Sequence, residues 1–209
     1  MKTLVAIPCM DMVHTAFMQS LLSLRPVGET NFALMASSLI YDARNNLAKQ
    51  AIDQGYDRIL WLDSDMTFGP DLLERLSADL DEGREYVAAL FFRRKQPVSP
   101  CIYNDYGYNK EGREIIPYIN TYEDYPMDCI FEVEASGLAG VMMKVDLLKK
   151  VFEEYGAPFS PQPGFGEDIS FCIRARTAGH TLYCDSRIKM GHIGQIIINE
   201  ETYKKVEKR

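Results

Sequence analysis

Short apolar runs alternate with segments of helical periodicity through the first 92 residues. Apolar runs bounded by turn residues predict buried strands, whereas apolar positions three and four apart predict helices. The predicted strands span residues 3–8, 31–36, 58–62 and 86–92, and helices are predicted over residues 13–24, 41–54 and 70–82. This order of elements indicates βαβ units around a mostly parallel sheet, which is an α/β fold flanked by helices.

The pattern changes after residue 92. Residues 93–128 are rich in Tyr, Pro, Gly and Asn, and we expect a small β-rich insertion there, with short strands over 100–103 and 115–119. Farther along, strands are predicted over 130–134, 138–144, 181–184 and 188–190, and helices over 146–155, over 167–178 and near Asn199. No linker separates two halves, so we expect one domain over residues 1–209, ending in a helix or tail over 195–209.

Composition excludes several classes of protein. The chain has 209 residues, 46% hydrophobic and 25% charged, which is typical of a folded globular protein rather than a disordered one. Its 23 Lys and Arg against 30 Asp and Glu leave a net charge of −7, which argues against a nucleic-acid binder. No apolar run reaches the roughly 20 residues of a transmembrane helix. The five Cys form no CxxC pair, so we expect reduced thiols in a cytoplasmic protein without a signal peptide.

Two carboxylates follow the most strongly predicted strand. Asp63-Ser64-Asp65 comes directly after the run RILWL, and ligands of open α/β sheets bind outside the carboxyl ends of the strands. Carboxylates two positions apart in a turn can converge on Mg²⁺ or Mn²⁺, which prefer oxygen ligands and substrate phosphates. The alternative is a solvated turn in which Asp acts as a local hydrogen-bonding cap.

Late in the chain, three more groups can carry chemistry. Glu167 and Asp168 open a helix after a Pro- and Gly-rich loop over residues 156–166, where a carboxylate can act as a general base. We expect the helix dipole to keep such a carboxylate ionised, although simple charge complementarity with the dipole would explain it equally. His192 lies between Gly191 and Gly194 and is either a metal ligand or a hydrogen-bonded structural residue.

Arg44 and a stretch of small residues complete the candidates. Arg44 opens the second helix and is either a ligand for a diphosphate or an exposed helix residue. Residues 136–140 (SGLAG) either admit a sugar against the backbone or permit tight packing. The tyrosines between residues 103 and 125 predict either a stacking platform for a sugar ring or a base, or the apolar cover of a small sheet.

The order and spacing of these motifs resemble those of the GT-A-fold glycosyltransferases, specifically the family-2-like group. The resemblance extends from residue 3 to about 194 and depends on short motifs, which are Ile7-Pro8, Ala43-Arg44-Asn45, Leu62 to Met66, Gly137 to Met143, Gly166-Glu167-Asp168 and Gly191-His192. It implies a Rossmann-like mixed sheet and a metal-dependent transfer of a sugar from a nucleotide-diphospho-sugar to an acceptor hydroxyl.

The resemblance also implies roles for individual residues. Asp65 and His192 would bind Mn²⁺ or Mg²⁺, and Asp168 would be the catalytic base with Glu167 beside it. The remaining residues would bind the nucleotide-sugar, and they are Pro8, Cys9, Arg44, Asp63, Ser64, Gly137 and Gly140. The donor is expected to be UDP- or GDP-linked, and the choice between the two bases stays open because residues 36–38 (ASS) stand where many members carry an acid that reads the base.

The expected reaction is an inverting transfer, because a base acting in line from the face opposite the leaving group inverts the anomeric carbon. The acceptor is expected to be recognised by residues 93–128, by the loop over 156–166, by a partner protein or by a second copy of the chain. Two alternatives remain: a non-catalytic nucleotide-sugar-binding module of the same fold, and a nucleotidyltransferase. The latter normally needs a glycine-rich basic loop after the first strand, where residues 9–13 (CMDMV) have neither feature.

Overall fold

Twelve strands and five helices make up residues 1–194, which the computed structural model describes. The strands are β1 (Lys2–Cys9), β2 (Glu29–Ala36), β3 (Arg58–Leu62), β4 (Met66–Thr67), β5 (Tyr86–Leu90), β6 (Ile102–Glu111), β7 (Glu114–Thr121), β8 (Ile130–Val133), β9 (Ala135–Ser136), β10 (Gly140–Lys144), β11 (Leu182–Lys189) and β12 (Gly191–His192). The helices are α1 (Thr15–Ser23), α2 (Ile40–Asp53), α3 (Leu72–Asp81), α4 (Val145–Tyr155) and α5 (Glu167–Thr177). The predicted helix near Asn199 lies outside the described residues.

The central sheet has seven strands in the order β2-β1-β3-β10-β5-β11-β8. Strands β2, β1, β3, β5 and β11 run in the same direction, while β10 and β8 are antiparallel to their neighbours. The predicted α/β fold with a mixed, mostly parallel sheet is therefore confirmed. Strands β4 and β12 form a separate two-stranded sheet, and β7, β6 and β9 form a three-stranded sheet.

Alternate residues of the central strands pack against helices on opposite faces of the sheet. Leu4 and Ala6 of β1 join a core cluster with α2, α4 and α5, whereas Val5 and Ile7 join a second cluster with α1 and α3. This two-residue period is the geometry of a strand buried on both faces. It explains why RILWL reads as a continuous apolar run, and Trp61 within it is fully buried.

Two predicted strand boundaries are wrong. Instead of two strands over 181–184 and 188–190, β11 is one strand, and its pairing register with β5 shifts between Asp185 and Lys189. Polar Asp185 and Ser186 interrupt its apolar pattern, but both are buried and hydrogen-bonded to neighbouring groups. The strand predicted over 100–103 is the start of the ten-residue β6, which forms a hairpin with β7. Among the described residues, no helix is long and apolar enough to span a bilayer.

Candidate active site

The carboxyl ends of the parallel strands β1 and β3 meet at one edge of the sheet, because the two strands pair in register. Residues 63–65 leave β3 at this edge, and the backbone N–H of Met66 donates to the carbonyl of Asp63 at 3.2 Å. This turn leads into the short β4. The acidic turn predicted from the sequence therefore lies at the sheet edge, where α/β proteins bind ligands.

The pairing of β12 with β4 brings His192 to this turn. His192 lies opposite Met66, and the backbone N–H of Ile193 donates to the carbonyl of Asp65 at 2.8 Å. At Gly191 a side chain would lie 2.4 Å from Thr67 Oγ1, so glycine permits the close approach of the two strands. As a result, His192 Nε2 lies 3.4 Å from Asp65 Oδ2.

A positively charged side chain, that of Arg94, contacts the same carboxylate oxygen as His192. Arg94 Nη1 donates to Asp65 Oδ2 at 2.5 Å, and the Arg94 side chain is half exposed. Burial acts to raise the pKa of Asp65, but the interactions with His192 and with the Arg94 charge outweigh burial and lower it. The contact with Asp65 raises the pKa of His192. Asp65 is therefore an anionic carboxylate that contacts both Arg94 and His192.

The hydrogen bonds of His192 fit a metal ligand. Its Nδ1 lies 2.9 Å from the carbonyl of Phe92, which can only accept, so Nδ1 carries a proton, and the ring in its neutral form presents the Nε2 lone pair. That lone pair faces the Asp65 oxygen, and two acceptors this close require a proton or a cation between them. Because metal–ligand bonds are about 2.1 Å, one ion can touch both atoms. No group of three or more potential His, Cys, Asp or Glu ligands occurs among residues 1–194, so further ligands would come from substrate or water.

Arg44 connects the early acids to the late ones. Its Nη2 donates to Asp63 Oδ1 at 2.7 Å and its Nε lies 3.4 Å from Glu167 Oε1. The residue is only 1% exposed, and the guanidinium carbon lies 5.6 Å from the centre of the Trp61 ring. Arg44 is therefore not an exposed helix residue. It joins the end of β3 to the first turn of α5.

Asp168 stands beside this link, and its side chain is partly buried at a cavity wall. Burial and the neighbouring Glu167 charge raise the pKa of Asp168 to about 6, while the backbone N–H of Ile169 and the Arg44 charge act in the opposite direction. The effect of burial on the pKa of Asp168 thus outweighs that of the helix N-terminus. A pKa near 6 still leaves Asp168 mostly ionised at neutral pH and suits a general base.

Two cavities meet at Asp63. The larger, of about 500 Å³, is lined by residues 8–14 at and beyond the end of β1, by Ile40, by residues 63–65 and by Arg94. The smaller, of about 160 Å³, is lined by Arg44, Asp63, Phe91, Cys101, Tyr103, Gly137, Leu138, Ala139, Glu167, Asp168 and His192. Burial raises the pKa of Cys101 to about 12, so its thiol remains protonated in the smaller cavity.

The predicted site residues divide between these cavities. Pro8, Cys9, Ser64 and Asp65 line the larger one. Gly137, Glu167, Asp168 and His192 line the smaller one, and Asp63 lines both. Folding thus brings together residues from five separate motifs.

The two remaining predicted residues, Arg44 and Gly140, do not line the larger cavity. Arg44 lines the smaller cavity beside Asp168 rather than the larger one, because both Asp63 and Glu167 hold its guanidinium. Gly140 lines neither cavity. It is buried at the start of β10, where a side chain would lie 2.2 Å from the sulfur of Met190, so packing within the core requires the glycine.

Two contributors to the site, Arg94 and His14, were not chosen as candidates from the sequence. Arg94 appeared in the sequence as part of a short basic run, and the available signal was that this run directly follows a buried strand. His14 lines the larger cavity, and its backbone N–H donates to the carbonyl of Ser64 at 3.2 Å. Its position a few residues beyond β1, at the same edge as Asp63, was the corresponding signal for His14.

Comparisons of sequence identify no relatives, since no protein-family model matches the chain and no curated protein matches it significantly. Comparisons of structure find several proteins of similar fold. A197 from STIV is 16% identical with a TM-score of 0.58, over 95% of this chain and 97% of that one. GalNAc-T7, solved with UDP, GalNAc and Mn²⁺, is 12% identical with a TM-score of 0.62, over 93% of this chain and 43% of that one.

S. aureus TarS 1–349, solved in complex with UDP-GlcNAc, is 14% identical with a TM-score of 0.60, over 98% of this chain and 64% of that one. The chain thus spans less than half of the GalNAc-T7 chain and less than two thirds of the TarS chain. Matches at such low sequence identity show a shared fold and nothing more. All three matches extend over nearly the whole of this chain. The chain has the GT-A fold of glycosyltransferases, as its ordered motifs indicated.

Proposed function

We propose that the chain is a metal-dependent glycosyltransferase that moves a sugar from a nucleotide-diphospho-sugar to an acceptor hydroxyl with inversion. One observation carries the proposal: Asp65 and His192, distant in sequence, lie 3.4 Å apart, and His192 lines the same cavity as Asp168. A candidate pair of metal ligands and a candidate base therefore flank one space in which a sugar can react.

The donor nucleotide is assigned to the larger cavity. It begins at the end of β1 and ends at Asp65, so a nucleoside bound between residues 8–14 and Ile40 directs its diphosphate toward Asp65. Within this proposal Asp63, which lines both cavities, contacts the ribose or the sugar. GalNAc-T7 and TarS were solved with UDP and UDP-GlcNAc respectively, which makes UDP the first nucleotide to test and GDP the second.

Asp65 and His192 would hold the divalent ion, Mn²⁺ or Mg²⁺, and GalNAc-T7 was solved with Mn²⁺. When bound, the ion supplies positive charge next to the departing diphosphate. The chain's own part is to keep Asp65 ionised and to hold the His192 ring with Nε2 toward it, through the hydrogen bond from Nδ1 to the carbonyl of Phe92.

Asp168 is assigned the base role. In the transfer, the acceptor oxygen forms a bond to the anomeric carbon, the bond from that carbon to the diphosphate oxygen breaks, and the acceptor proton passes to Asp168. The nucleoside diphosphate leaves with the electron pair. Attack from the side opposite the leaving group inverts the anomeric centre. Arg44 keeps Glu167, and with it the first turn of α5, in place beside Asp63.

The acceptor is assigned to the side of the β6–β7 hairpin, which belongs to the insertion over residues 93–128. Tyr108 donates its hydroxyl to the carbonyl of Pro163 at 2.9 Å, and its ring packs edge-on against Phe165 at 5.3 Å. At Gly164, which has a φ of +83°, a side chain would lie 2.2 Å from the Pro117 ring. The hairpin thus packs against the loop that leads into Asp168, where an acceptor must enter.

The proposal treats residues 1–209 as one catalytic domain and places it in the cytoplasm. All five cysteines are free, as a reducing compartment favours.

The test is donor turnover. Purified protein is incubated with Mn²⁺ and a panel of UDP- and GDP-sugars, with and without simple sugar acceptors, and release of the nucleoside diphosphate is measured. We expect release from one donor, dependence on Mn²⁺ or Mg²⁺, and loss of activity in excess EDTA. His192→Ala should lower the rate with a higher requirement for Mn²⁺.

A matched control separates catalysis from folding. Asp146→Asn changes an exposed acid in the first turn of α4, away from both cavities, and should turn over like the wild type. Binding of a nucleotide-sugar without release, with every acceptor, would favour a non-catalytic binding module. Absence of binding by the whole panel would overturn the proposal.

A further inference from the structure

We propose that Arg94 is a displaceable cation, which occupies the Asp65 carboxylate in the free protein and moves to the donor diphosphate when a metal ion takes its place. The inference rests on the proposed function, since it assumes that a nucleotide diphosphate and a divalent ion meet at Asp65. It concerns a residue outside every motif that the sequence resemblance used.

Arg94 and a bound divalent ion would compete for one atom, Asp65 Oδ2. Arg94 Nη1 and His192 Nε2 both contact Asp65 Oδ2, at 2.5 Å and 3.4 Å. A divalent ion bound by Asp65 and His192 needs this same oxygen, and it would repel a guanidinium that stayed in contact. Arg94 must therefore leave Asp65 before, or as, the ion binds.

The end of the Arg94 side chain is free to move, while the Arg94 backbone is held in place. It lies between β5 and β6 in a segment without regular secondary structure, and the N–H of Arg93 donates to the carbonyl of Ser99 at 2.9 Å, which closes the segment into a loop. A side chain at Gly194 would lie 3.2 Å from Arg94 Cβ, so the base of Arg94 is packed. Its guanidinium is half exposed, by contrast, and bonds to Asp65 alone in the described residues.

The cavity beside Asp65 gives the Arg94 side chain a place to which it can move. Arg94 lines the larger cavity at the end nearest Asp65, where the proposed donor places its diphosphate. It also lines an adjoining cavity of about 360 Å³ together with His14 and Lys95. A planar guanidinium binds phosphate oxygens in a two-pronged contact, which a point charge does not reproduce.

A measurable consequence is coupling between metal and nucleotide. With Arg94 on Asp65, a metal ion alone must displace a cation and binds weakly. A nucleotide diphosphate gives Arg94 a new partner and so increases the affinity for the metal ion. By linkage, the metal ion increases the affinity for the nucleotide by the same factor. Removal of Arg94 should increase the affinity for the metal ion in the absence of nucleotide, lower the affinity for the nucleotide and reduce the coupling between the two.

The experiment measures Mn²⁺ affinity directly, by electron paramagnetic resonance titration of free Mn²⁺ at pH 7.5, without turnover. The proteins are wild type, Arg94→Ala, Arg94→Lys and the control Lys95→Ala, which removes a neighbouring charge that does not contact Asp65. Each is titrated alone and with saturating UDP, and then with GDP. UDP affinity is measured separately by calorimetry with and without Mn²⁺.

For Mn²⁺ alone we expect Arg94→Ala to bind about fivefold tighter than wild type, the scale of a partly exposed ion pair, with Lys95→Ala unchanged. With nucleotide, wild type should gain about tenfold in Mn²⁺ affinity and Arg94→Ala clearly less. Arg94→Lys should restore competition for Asp65 better than it restores nucleotide affinity.

Equal or weaker Mn²⁺ binding by Arg94→Ala, or no Mn²⁺ binding by any variant, would overturn the competition. Unchanged UDP and GDP affinity in Arg94→Ala, with the wild type binding either nucleotide, would overturn the move to the diphosphate. If no protein binds UDP or GDP, the proposed function fails, while the Mn²⁺ titrations without nucleotide still decide whether Arg94 competes for Asp65.

Discussion

Two groups of side chains in this protein each combine one arginine with two carboxylates. At the cavity, Arg44 bonds to Asp63 and Glu167. Between α3 and β11, Arg187 bonds to Asp79 and Asp185. In the first group the arginine is buried and the acids are partly exposed, whereas in the second the acids are buried and the arginine is exposed.

Each group is also associated with a carboxylate of raised pKa. Burial and the Glu167 charge raise the pKa of Asp168 to about 6. Burial, the Asp185 charge and a hydrogen bond with Asp185 raise the pKa of Asp79 to about 6 as well, against the opposing charges of Arg187 and Arg84. A perturbed pKa alone therefore does not identify an active site. Asp168 lines a cavity with His192, and Asp79 does not.

The largest expected difference between the two acids is in catalysis. Asp168→Asn should lower the turnover rate by about 10²- to 10⁴-fold, the usual contribution of a general base, and leave donor affinity nearly unchanged. Steady-state rates and donor binding by calorimetry measure the two effects. The parallel variant Asp79→Asn should turn over normally. Equal loss in both variants would mean that the cavity does not distinguish them.

The two arginines should differ in what their removal costs. Arg44→Ala removes a fully buried side chain that packs against Trp61 and pairs with Asp63 and Glu167, and it should cost about 3–5 kcal/mol in the free energy of unfolding, measured by urea denaturation. Arg187→Ala leaves the buried Asp79 and Asp185 without their partner, but Asp79, whose pKa is already raised to about 6, can take up a proton, so this variant should cost less. A larger loss in Arg187→Ala would contradict the comparison based on arginine burial.

The pH dependence of activity should report Asp168. A base with a pKa near 6 loses its function when protonated, so kcat/KM should fall about tenfold per pH unit below pH 6. Asp79→Asn should leave this profile in place, because Asp79 lines neither cavity. A shift of the profile in Asp79→Asn would show that the two sites are coupled.

The smallest expected effect is on stability at neutral pH. Because its pKa is raised, Asp79 binds its proton more tightly in the folded protein than in the unfolded chain. Its contribution is therefore favourable below about pH 4 and is lost as pH rises through about 6. Asp79→Asn should be about 1–2 kcal/mol more stable than wild type at pH 7.5 and equal to it at pH 4. Urea denaturation at the two pH values measures this, and equal differences at both would contradict the assignment.

The amino-acid sequence by itself determined the alternation of strands and helices, because period-2 and period-3.6 apolar patterns are local properties. It also placed Asp63, Asp65 and Asp168 at the ends of elements, since strand ends and helix starts can be read from adjacent residues. The sequence was less informative where polar residues interrupt a strand, as at Asp185, or where core packing alone requires a glycine, as at Gly140.

Only the tertiary structure decided which of these residues meet. The pairing of β12 with β4 brings His192 to Asp65, the loop after β5 brings Arg94 to the same oxygen, and α5 brings Glu167 to Arg44. None of these contacts has a local signal, because each joins segments that are separate in the sequence. The pKa of Asp168 depends on burial and on neighbouring charges, so it too exists only after the chain has folded.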